Sequence, residues 1–370
     1  MTYKQLFYFT GHCLALDEHP LFRERVIELF ADASNIQHST FNIQNFIQLC
    51  SDHLIIPAIY LKLKAHDILN DLPEDFIQAF KEIYDLNRER NEQILKQIDD
   101  ITAILNKENI QPVFLKGTAN LLDGLYSDLG ERMIGDIDFL VKEEDFLKAA
   151  EKLEATGYQR QDNHYFDVFQ FKHYPALTKD AEPTYIEIHR LPVDQKYAES
   201  LNSELIFSQK KEVRGKPGLF VPSDEHKLIH TFIHSQLADK GHVHLLADFR
   251  VLNDLYCLSK RMDVSTLAQQ SNYTNEASSW LALGKRLLDL PELCPAETKQ
   301  VQRYCMKYDW ALNHVKTYQA YSFLKKLFHT VFMRYGLGLV QMFYSRKQLI
   351  SVYKRLKDPE WYRIHVKSLK

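Results

Sequence analysis

Leu115-Lys116-Gly117-Thr118 and, further along, Asp136-Ile137-Asp138-Phe139-Leu140-Val141 are the stretches that decide the fold of this chain. Successive side chains of a β-strand point to opposite faces, so Asp136 and Asp138 share one face of the predicted strand. Neighbouring carboxylates repel each other unless a positive charge lies between them. Oxygen ligands of this kind favour Mg²⁺ or Mn²⁺, and Mg²⁺ often completes its coordination with substrate phosphates. The pattern therefore predicts a metal site beside a bound phosphate.

Small and basic residues near this pair are candidates for phosphate binding. Gly117 lets backbone N–H groups approach a phosphate, and Thr118 is expected to cap the following helix, whose N-terminus attracts anions. Lys116 offers a point charge, whereas Arg132 can contact phosphate through two parallel hydrogen bonds. The alternatives are an ordinary strand–helix turn, and cations that are exposed or paired with the aspartates.

These residues resemble the motif of the nucleotidyltransferase superfamily that includes DNA polymerase beta. Its members have a Gly-Gly or Gly-Ser turn at a helix start, an Asp-x-Asp or Asp-x-Glu strand, and a third carboxylate on a later strand. In this chain the turn is Gly117-Thr118 and the pair is Asp136 and Asp138. The third acid is Glu187, within Tyr185-Ile186-Glu187-Ile188-His189. The resemblance implies that the three acids hold the metal and are catalytic.

Each acid also has a plainer interpretation when it is taken alone. An isolated Asp-x-Asp is most often part of a solvated strand whose acids face water. Glu187 alone would be an outward-facing residue of a half-buried strand. The metal interpretation depends on the combination of the three acids with the Gly117 turn.

More narrowly, the chain is similar to a bacterial family known as uncharacterised nucleotidyltransferases. Its members have a Leu-Lys-Gly turn, an Arg four residues before Asp-Ile-Asp, a Glu-x-His strand, and a later helical region with His and Asp. The chain carries these features in the same order: Lys116-Gly117, Arg132, Asp136-Ile137-Asp138, Glu187-Ile188-His189, His234 and Asp248.

The resemblance extends to three polar residues around the predicted metal site. His189 shares a strand face with Glu187, so it either positions that acid, touches substrate, or is a structural histidine. His234 and Asp248 are expected to line the cleft and the acceptor site. A zinc site at His230 and His234 is the weaker alternative, because no Glu lies between them as in a metalloprotease helix.

Composition bounds the class of protein. The chain has 370 residues, 45% hydrophobic and 26% charged, which is ordinary for a globular protein large enough for two or three domains. No run of 18 apolar residues predicts a membrane-spanning helix, and Met1 to His12 lacks the pattern of a signal peptide. Five scattered cysteines without a Cys-x-x-Cys motif indicate reduced thiols and a cytoplasmic protein.

The pattern along the chain predicts an α+β fold in three parts. Residues 1–110 are a helical region, residues 111–220 are a nucleotidyltransferase-like core with a small mixed sheet, and residues 221–370 are a second helical region. The last fifty residues, 321–370, have 11 Lys or Arg against 2 Asp or Glu, a net charge of +9. Since the whole chain carries −3, residues 1–320 carry −3 − 9 = −12.

Apolar spacing sets the expected elements. Residues 42–64 are expected to be helical, as are residues 73–108, in one long helix or two. Residues 119–126 and 143–156 are expected to form helices within the core. Two β-rich runs, 165–173 and 184–189, are expected to pair as neighbouring strands.

The sequence and the resemblance together predict a Mg²⁺- or Mn²⁺-dependent nucleotidyltransferase. It would transfer a nucleoside monophosphate from an NTP to an acceptor, which could be a small molecule, a peptide, a protein or tRNA. One alternative is a protein that binds nucleotide without turnover. Another is a module that meets nucleic acid or a membrane surface through the basic tail at residues 321–370. The oligomeric state is not predicted.

Overall fold

The computed structural model describes residues 1–33, 42–161, 169, 171–294, 297–331 and 357. The chain divides into two compact units, Met1–Tyr308 and Asp309–Lys370. The predicted basic tail therefore lies largely outside the described residues, as does most of the β-rich run 165–173. The larger unit contains the sheet and every residue predicted for the site.

Helices make up most of the described structure. The helices before the sheet are α1 (Tyr3–Leu14), α2 (Phe22–Ala33), α3 (Ile43–Asp52), α4 (Ile56–Ala65) and α5 (Glu74–Lys107). Those that lie between strands are α6 (Lys116–Leu122), α7 (Phe146–Glu154) and α8 (Ser203–Ser208). Those after the sheet are α9 (Asp224–Phe232), α10 (Phe249–Ser259), α11 (Thr266–Gln270), α12 (Thr274–Leu288), α13 (Lys299–Asn313) and α14 (Val315–Val331).

Seven strands form one mixed sheet in the order β3-β4-β5-β2-β1-β7-β6. The strands are β1 (Val113–Phe114), β2 (Ile137–Leu140), β3 (Gln159–Arg160), β4 (Leu177–Thr178), β5 (Ile186–His189), β6 (Lys211–Glu212) and β7 (Phe220–Val221). Strand β2 runs parallel to β5 and antiparallel to β1. This mixed sheet with surrounding helices confirms the predicted α+β class. The three-part division of the chain stays a prediction.

The structure corrects several expected elements. The apolar run at residues 42–64 is two helices, because the chain turns at Leu54, whose φ of +54° is left-handed. The helix expected at residues 119–126 begins earlier, at Lys116, and ends at Leu122. Most of the run 165–173 lies outside the described residues; its His173 forms an antiparallel bridge to His189, and β4 pairs with β5 at Leu177 and Ile186.

Helix α5 is one continuous helix of 34 residues, and its side chains hold the segments that precede strands β2 and β5. Asn87 donates to the carbonyl of Gly130 at 2.7 Å, and Asn91 donates to the carbonyl of Arg132 at 2.8 Å. Further along, the Gln97 amide donates to the carbonyl of Thr184 at 3.0 Å. Because these side chains recur at helical spacing, one face of α5 fixes the segments that lead into β2 and β5.

The described residues contain no single helix with the length and hydrophobicity needed to cross a membrane. Helices α3 and α4, bent at 120° to each other, satisfy that criterion only when taken as a pair.

Close packing of α1 against α12 should make Gly11 intolerant of any side chain. A Cβ at Gly11 would lie 2.1 Å from the carbonyl oxygen of Leu287 and 3.2 Å from Cε1 of Phe249. We expect Gly11→Ala to lower the free energy of unfolding by about 1–3 kcal/mol, since overpacking outweighs the better helix propensity of alanine. Urea denaturation measures this change. Gly135→Ala is the control, because a Cβ there meets nothing within 4 Å; equal stability of both variants would contradict the prediction.

Candidate active site

Two parallel strands bring the predicted acids together. In the β2–β5 register, Asp138 is paired with Glu187 and Leu140 with His189. Asp138 is 1% exposed and Glu187 is half-buried. Residues that alternate with the acids, such as Phe139 and Ile188, are completely buried. The apolar residues thus fix the register, and the register places two carboxylates side by side on the opposite face.

His189 contacts both of these acids. Its Nε2 lies 2.8 Å from Oδ1 of Asp138 and 3.5 Å from Oε2 of Glu187, and its side chain has no exposed surface. His173 extends the group, with Nε2 3.9 Å from Oε2 of Glu187. A role for His189 in positioning the acids was one of the three interpretations that the sequence allowed, and its contacts fit that role.

Lys116 supplies the positive charge at this cluster. Its Nζ donates to Oδ1 of Asp138 at 2.6 Å. Burial disfavours the ammonium charge, but the carboxylates of Asp138, Asp136 and Glu187 outweigh it and raise the pKa of Lys116. The backbone of Lys116 has a left-handed φ of +52°, which is strained for a residue with a side chain. Strain of this kind persists only where the surrounding structure enforces it.

The two aspartates of the motif have opposite electrostatic environments. Burial raises the pKa of Asp136, and the charges of Asp138 and Glu187 add to this effect more than Lys116 offsets it. Within the described part of the chain the Asp136 carboxylate makes no hydrogen bond or ion pair. Burial would also raise the pKa of Asp138, but Lys116 and His189 reverse this and hold it far below its usual range. Asp136 is therefore an unpaired acid and Asp138 a paired one.

Glu187 is also stabilised as an anion. Burial and the charge of Asp138 oppose its ionisation, whereas the hydrogen bond with His189 and the charges of His173 and Lys116 favour it. The balance lowers the pKa of Glu187. At neutral pH the cluster therefore presents carboxylates that are ready to bind a cation.

The donor set fits a divalent cation, although its members differ in part from the prediction. One ligand atom from each of Asp138, Glu187 and His189 lies within 4.8 Å of the other two. Oxygen atoms from two carboxylates suit Mg²⁺ or Mn²⁺, and imidazole suits Mn²⁺ better than Mg²⁺. Asp136 is close enough to these acids to be affected by their charge, but it is not a member of that group of three.

The Gly117 turn lies beside the acids but is arranged differently from the prediction. Thr118 does not cap α6, because the cap position is Leu115; its hydroxyl donates to the carbonyl of Asp136 at 3.1 Å. A Cβ at Gly117 would lie 3.1 Å from Cδ1 of Ile134 and 3.6 Å from an Arg132 guanidinium nitrogen. Gly117 thus allows the turn to pack against the segment that leads into β2.

Arg132 is engaged in a buried ion pair that the sequence did not indicate. Its Nε donates to one carboxylate oxygen of Asp254 on α10, and one terminal nitrogen donates to the other oxygen, each at 2.9 Å. The Tyr126 hydroxyl donates to the same carboxylate at 2.7 Å. Burial disfavours the guanidinium charge, but Asp254 outweighs it and raises the pKa of Arg132. The sequence allowed a salt bridge between Arg132 and one of the motif aspartates, whereas the structure pairs Arg132 with Asp254.

The helical region after the sheet contributes one wall of the site. His230 on α9 is 3% exposed, and its Nε2 has no hydrogen-bond partner among the described residues. Burial and the charge of Lys116 lower the pKa of His230. His234 pairs with Asp239 at 3.0 Å, at a π-helical stretch, Ile233–Ala238. Asp248 caps α10 by accepting from the Arg250 backbone at 2.8 Å, so its carboxylate has a structural partner.

Sequence reasoning missed several residues around the acids: Arg90, His173, Arg250 and Asp254. Arg90 donates to the carbonyl of Ile134, and Arg250 lies near enough to Asp136 for their charges to interact. The spacing of Arg250 and Asp254 at i and i+4 was the one local signal, since it places both on one helix face. Nothing in the sequence around His173 indicates its contact with Glu187.

Opposite effects on stability should distinguish the two motif aspartates in the metal-free protein. Because the folded-state pKa of Asp136 is raised, stability falls as pH rises from its unfolded-state pKa through its folded-state pKa, and Asp136→Asn should raise the thermal midpoint at pH 7. The pKa of Asp138 is depressed, so its ionised form stabilises the fold above its unfolded-state pKa, and Asp138→Asn should cost about 3 kcal/mol. Thermal unfolding in EDTA at pH 7 and pH 3 measures both effects. The same sign for both variants at pH 7 would contradict the assignment.

Removing Asp254 should be strongly destabilising. Asp254→Ala leaves the buried Arg132 guanidinium without its partner, which we expect to cost about 3–5 kcal/mol. In a double-mutant cycle, Arg132→Met should recover part of that loss, because it removes the unpaired charge. Urea denaturation of the four proteins supplies the cycle. Additive effects of the two substitutions would show that the pair contributes no coupling.

Comparison with known proteins identifies the family. Residues 39–287 match the family model described as uncharacterised nucleotidyltransferase, which is about two thirds of the chain. The matched region includes the Gly117 turn, both acid strands and helices α9 and α10. A comparison with curated proteins found no match. The chain therefore belongs to the family of uncharacterised nucleotidyltransferases.

Proposed function

We propose that the chain transfers a nucleoside monophosphate from an NTP to an acceptor in a reaction that requires Mg²⁺ or Mn²⁺ and releases pyrophosphate. The observation that carries the proposal is the β2–β5 register, which pairs Asp138 with Glu187 beside the unpaired Asp136. Membership of a nucleotidyltransferase family supports a transferase. The likeness of the motif to the DNA polymerase beta superfamily belongs to this proposal.

The acids have separate roles in the proposed reaction. Asp138 and Glu187, with Asp136 next to them, would hold the divalent cation, and His189 keeps the first two in register through its Nε2. A bound divalent cation would neutralise charge on the phosphates and lower the pKa of a coordinated hydroxyl. Glu187 and Asp138 would orient the attacking hydroxyl or phosphate of the acceptor.

The Gly117 turn would position the NTP phosphates. The backbone of this turn lies next to the acids, since the Thr118 hydroxyl donates to the carbonyl of Asp136. The Lys116 ammonium group, already 2.6 Å from Asp138, adds positive charge at the point where the phosphates would meet the cation. Fixed charges of this kind stabilise the charge that develops in phosphoryl transfer.

The acceptor and the nucleotide base are open within this proposal. A small molecule, a peptide, a protein or tRNA remains an expected acceptor, and α9 with His230 and His234 is the wall of the site that would contact it. Cys13, Cys50 and Cys257 are free thiols in the structure, in keeping with a proposed cytoplasmic location.

Transfer of label from an NTP tests the proposal. The protein is incubated with each α-³²P-labelled NTP, with Mg²⁺ or Mn²⁺ and a cell extract, and label on protein, RNA or small molecules is measured. We expect Asp136→Ala/Asp138→Ala to reduce transfer by at least about 100-fold, because the acids that hold the metal are lost. The matched control is Asp180→Ala, which changes an exposed aspartate on the turn between β4 and β5.

Two results would contradict the proposal. One is transfer by the double variant at the wild-type rate. The other is no transfer from any NTP by the wild type; if calorimetry then detects NTP binding that needs the acids, the protein binds nucleotide without turnover.

A further inference from the structure

Arg250 is a half-buried arginine whose guanidinium group has no hydrogen-bond partner among the described residues. Its nearest carboxylate oxygen, Oδ2 of Asp248, is 4.0 Å away, which is beyond hydrogen-bonding distance. Its Nε is fully buried and unpartnered. Arginine carries five N–H donors and is always charged, so burial of Nε without a partner is unfavourable, while 28% of the side chain stays exposed.

The position of Arg250 on α10 places it next to the candidate active site. Asp254 lies four residues later on the same helix face, where it holds Arg132 through two hydrogen bonds of 2.9 Å. Arg132 in turn lies beside Gly117, the turn that precedes the acids. Arg250 is therefore about one helical turn from Asp254, and Asp254 is bonded to Arg132, the side chain that lies beside Gly117.

The two arginines repel each other. Burial and the neighbouring guanidinium of Arg132 lower the pKa of Arg250, and the carboxylates of Asp248, Asp254 and Asp136 only partly offset this. Asp254 is already bonded to Arg132, and Asp248 caps α10. An added anion with several oxygen atoms would satisfy the donors of Arg250 and reduce the repulsion.

We infer that Arg250 binds an oligophosphate anion, the β- and γ-phosphates of the NTP, at the edge of the site formed by the Gly117 turn and the acids. This inference rests on the proposed function, because that function supplies the anion. A planar guanidinium group suits this task, since it can donate two parallel hydrogen bonds to phosphate oxygens. Asp254 is a positioning residue in this arrangement, because it holds Arg132 and the helix that carries Arg250.

Calorimetric titration with inorganic tripolyphosphate in excess Mg²⁺ tests the inference without requiring turnover. We expect Arg250→Gln to weaken tripolyphosphate binding at least about tenfold, and Arg250→Lys to weaken it less, because lysine keeps the charge and loses the paired donors. The matched control is Arg214→Gln, an exposed arginine on the turn between β6 and β7, which should bind like the wild type. Binding of a nucleoside without phosphates should be unchanged in all variants.

Thermal unfolding distinguishes a ligand-binding residue from a structural one. In the absence of phosphate, Arg250→Gln should unfold at the same temperature as the wild type or higher, because it removes a repelling and unpartnered charge. Addition of tripolyphosphate should then raise the unfolding temperature of the wild type more than that of the variant. A Gln variant that is unfolded or clearly less stable would overturn the inference, since Arg250 would then be structural.

The outcomes separate this inference from the proposed function. Failure of the wild type to bind tripolyphosphate, or equal binding by Arg250→Gln, overturns the role of Arg250 whether or not nucleotide transfer occurs. Binding that depends on Arg250, in a protein that transfers no label from any NTP, supports the anion site and contradicts the proposed function. Loss of binding in Arg214→Gln as large as in Arg250→Gln would show only an unspecific effect of charge, and would also overturn the inference.

Discussion

Repulsion between carboxylates that the β2–β5 register forces together is the constraint on which the rest of the structure depends. Asp138 is fully buried beside Glu187, and Asp136 lies two residues before Asp138, close enough for the charges of both acids to raise its pKa. Without compensation, such a group would be protonated or would separate. Lys116 and His189 compensate in the metal-free protein, both through Oδ1 of Asp138. A strained backbone at Lys116 and an unpaired Asp136 remain, so strain and uncompensated charge are concentrated where a cation and phosphates would bind.

Rigidity around the acids comes from helices that are distant in sequence. Amide side chains on α5 fix the carbonyls of residues 129–132 and of Thr184, just before each acid strand. Helix α10 holds the same connection through Asp254 and through Asn253, whose amide donates to Glu131 at 3.0 Å. Two helices that are distant in sequence therefore hold the segment that leads into β2. A site that must hold like charges within a few ångströms needs such support, because small displacements change their interaction strongly.

The sequence predicted the parts of the site that depend on local pattern. Alternation placed Asp138 on one face and Phe139 on the other, and the resemblance added Glu187, whose register with Asp138 no local pattern contains. The partner of Arg132 could not be predicted, because Asp254 is 122 residues away and carries no motif of its own. The sequence predicted Thr118 as the cap of α6, but the helix begins two residues earlier, at Lys116. Local pattern could not predict this start, because it depends on a left-handed φ at Lys116 that a lysine rarely adopts. Failures of local reasoning thus coincide with long-range pairs and with strained backbone.

Three arginines near the acids, Arg90, Arg132 and Arg250, differ in how their donors are satisfied. Arg90 and Arg132 have their donors satisfied by backbone carbonyls or by Asp254, so their removal would leave acceptors unpaired and weaken the fold. Arg250 makes no hydrogen bond in the described structure, and the carboxylates of Asp248, Asp254 and Asp136 offset the burial of its charge only in part. Binding of an anion would supply the missing acceptors, because an anion turns the repulsion between Arg250 and Arg132 into a shared attraction for its oxygen atoms.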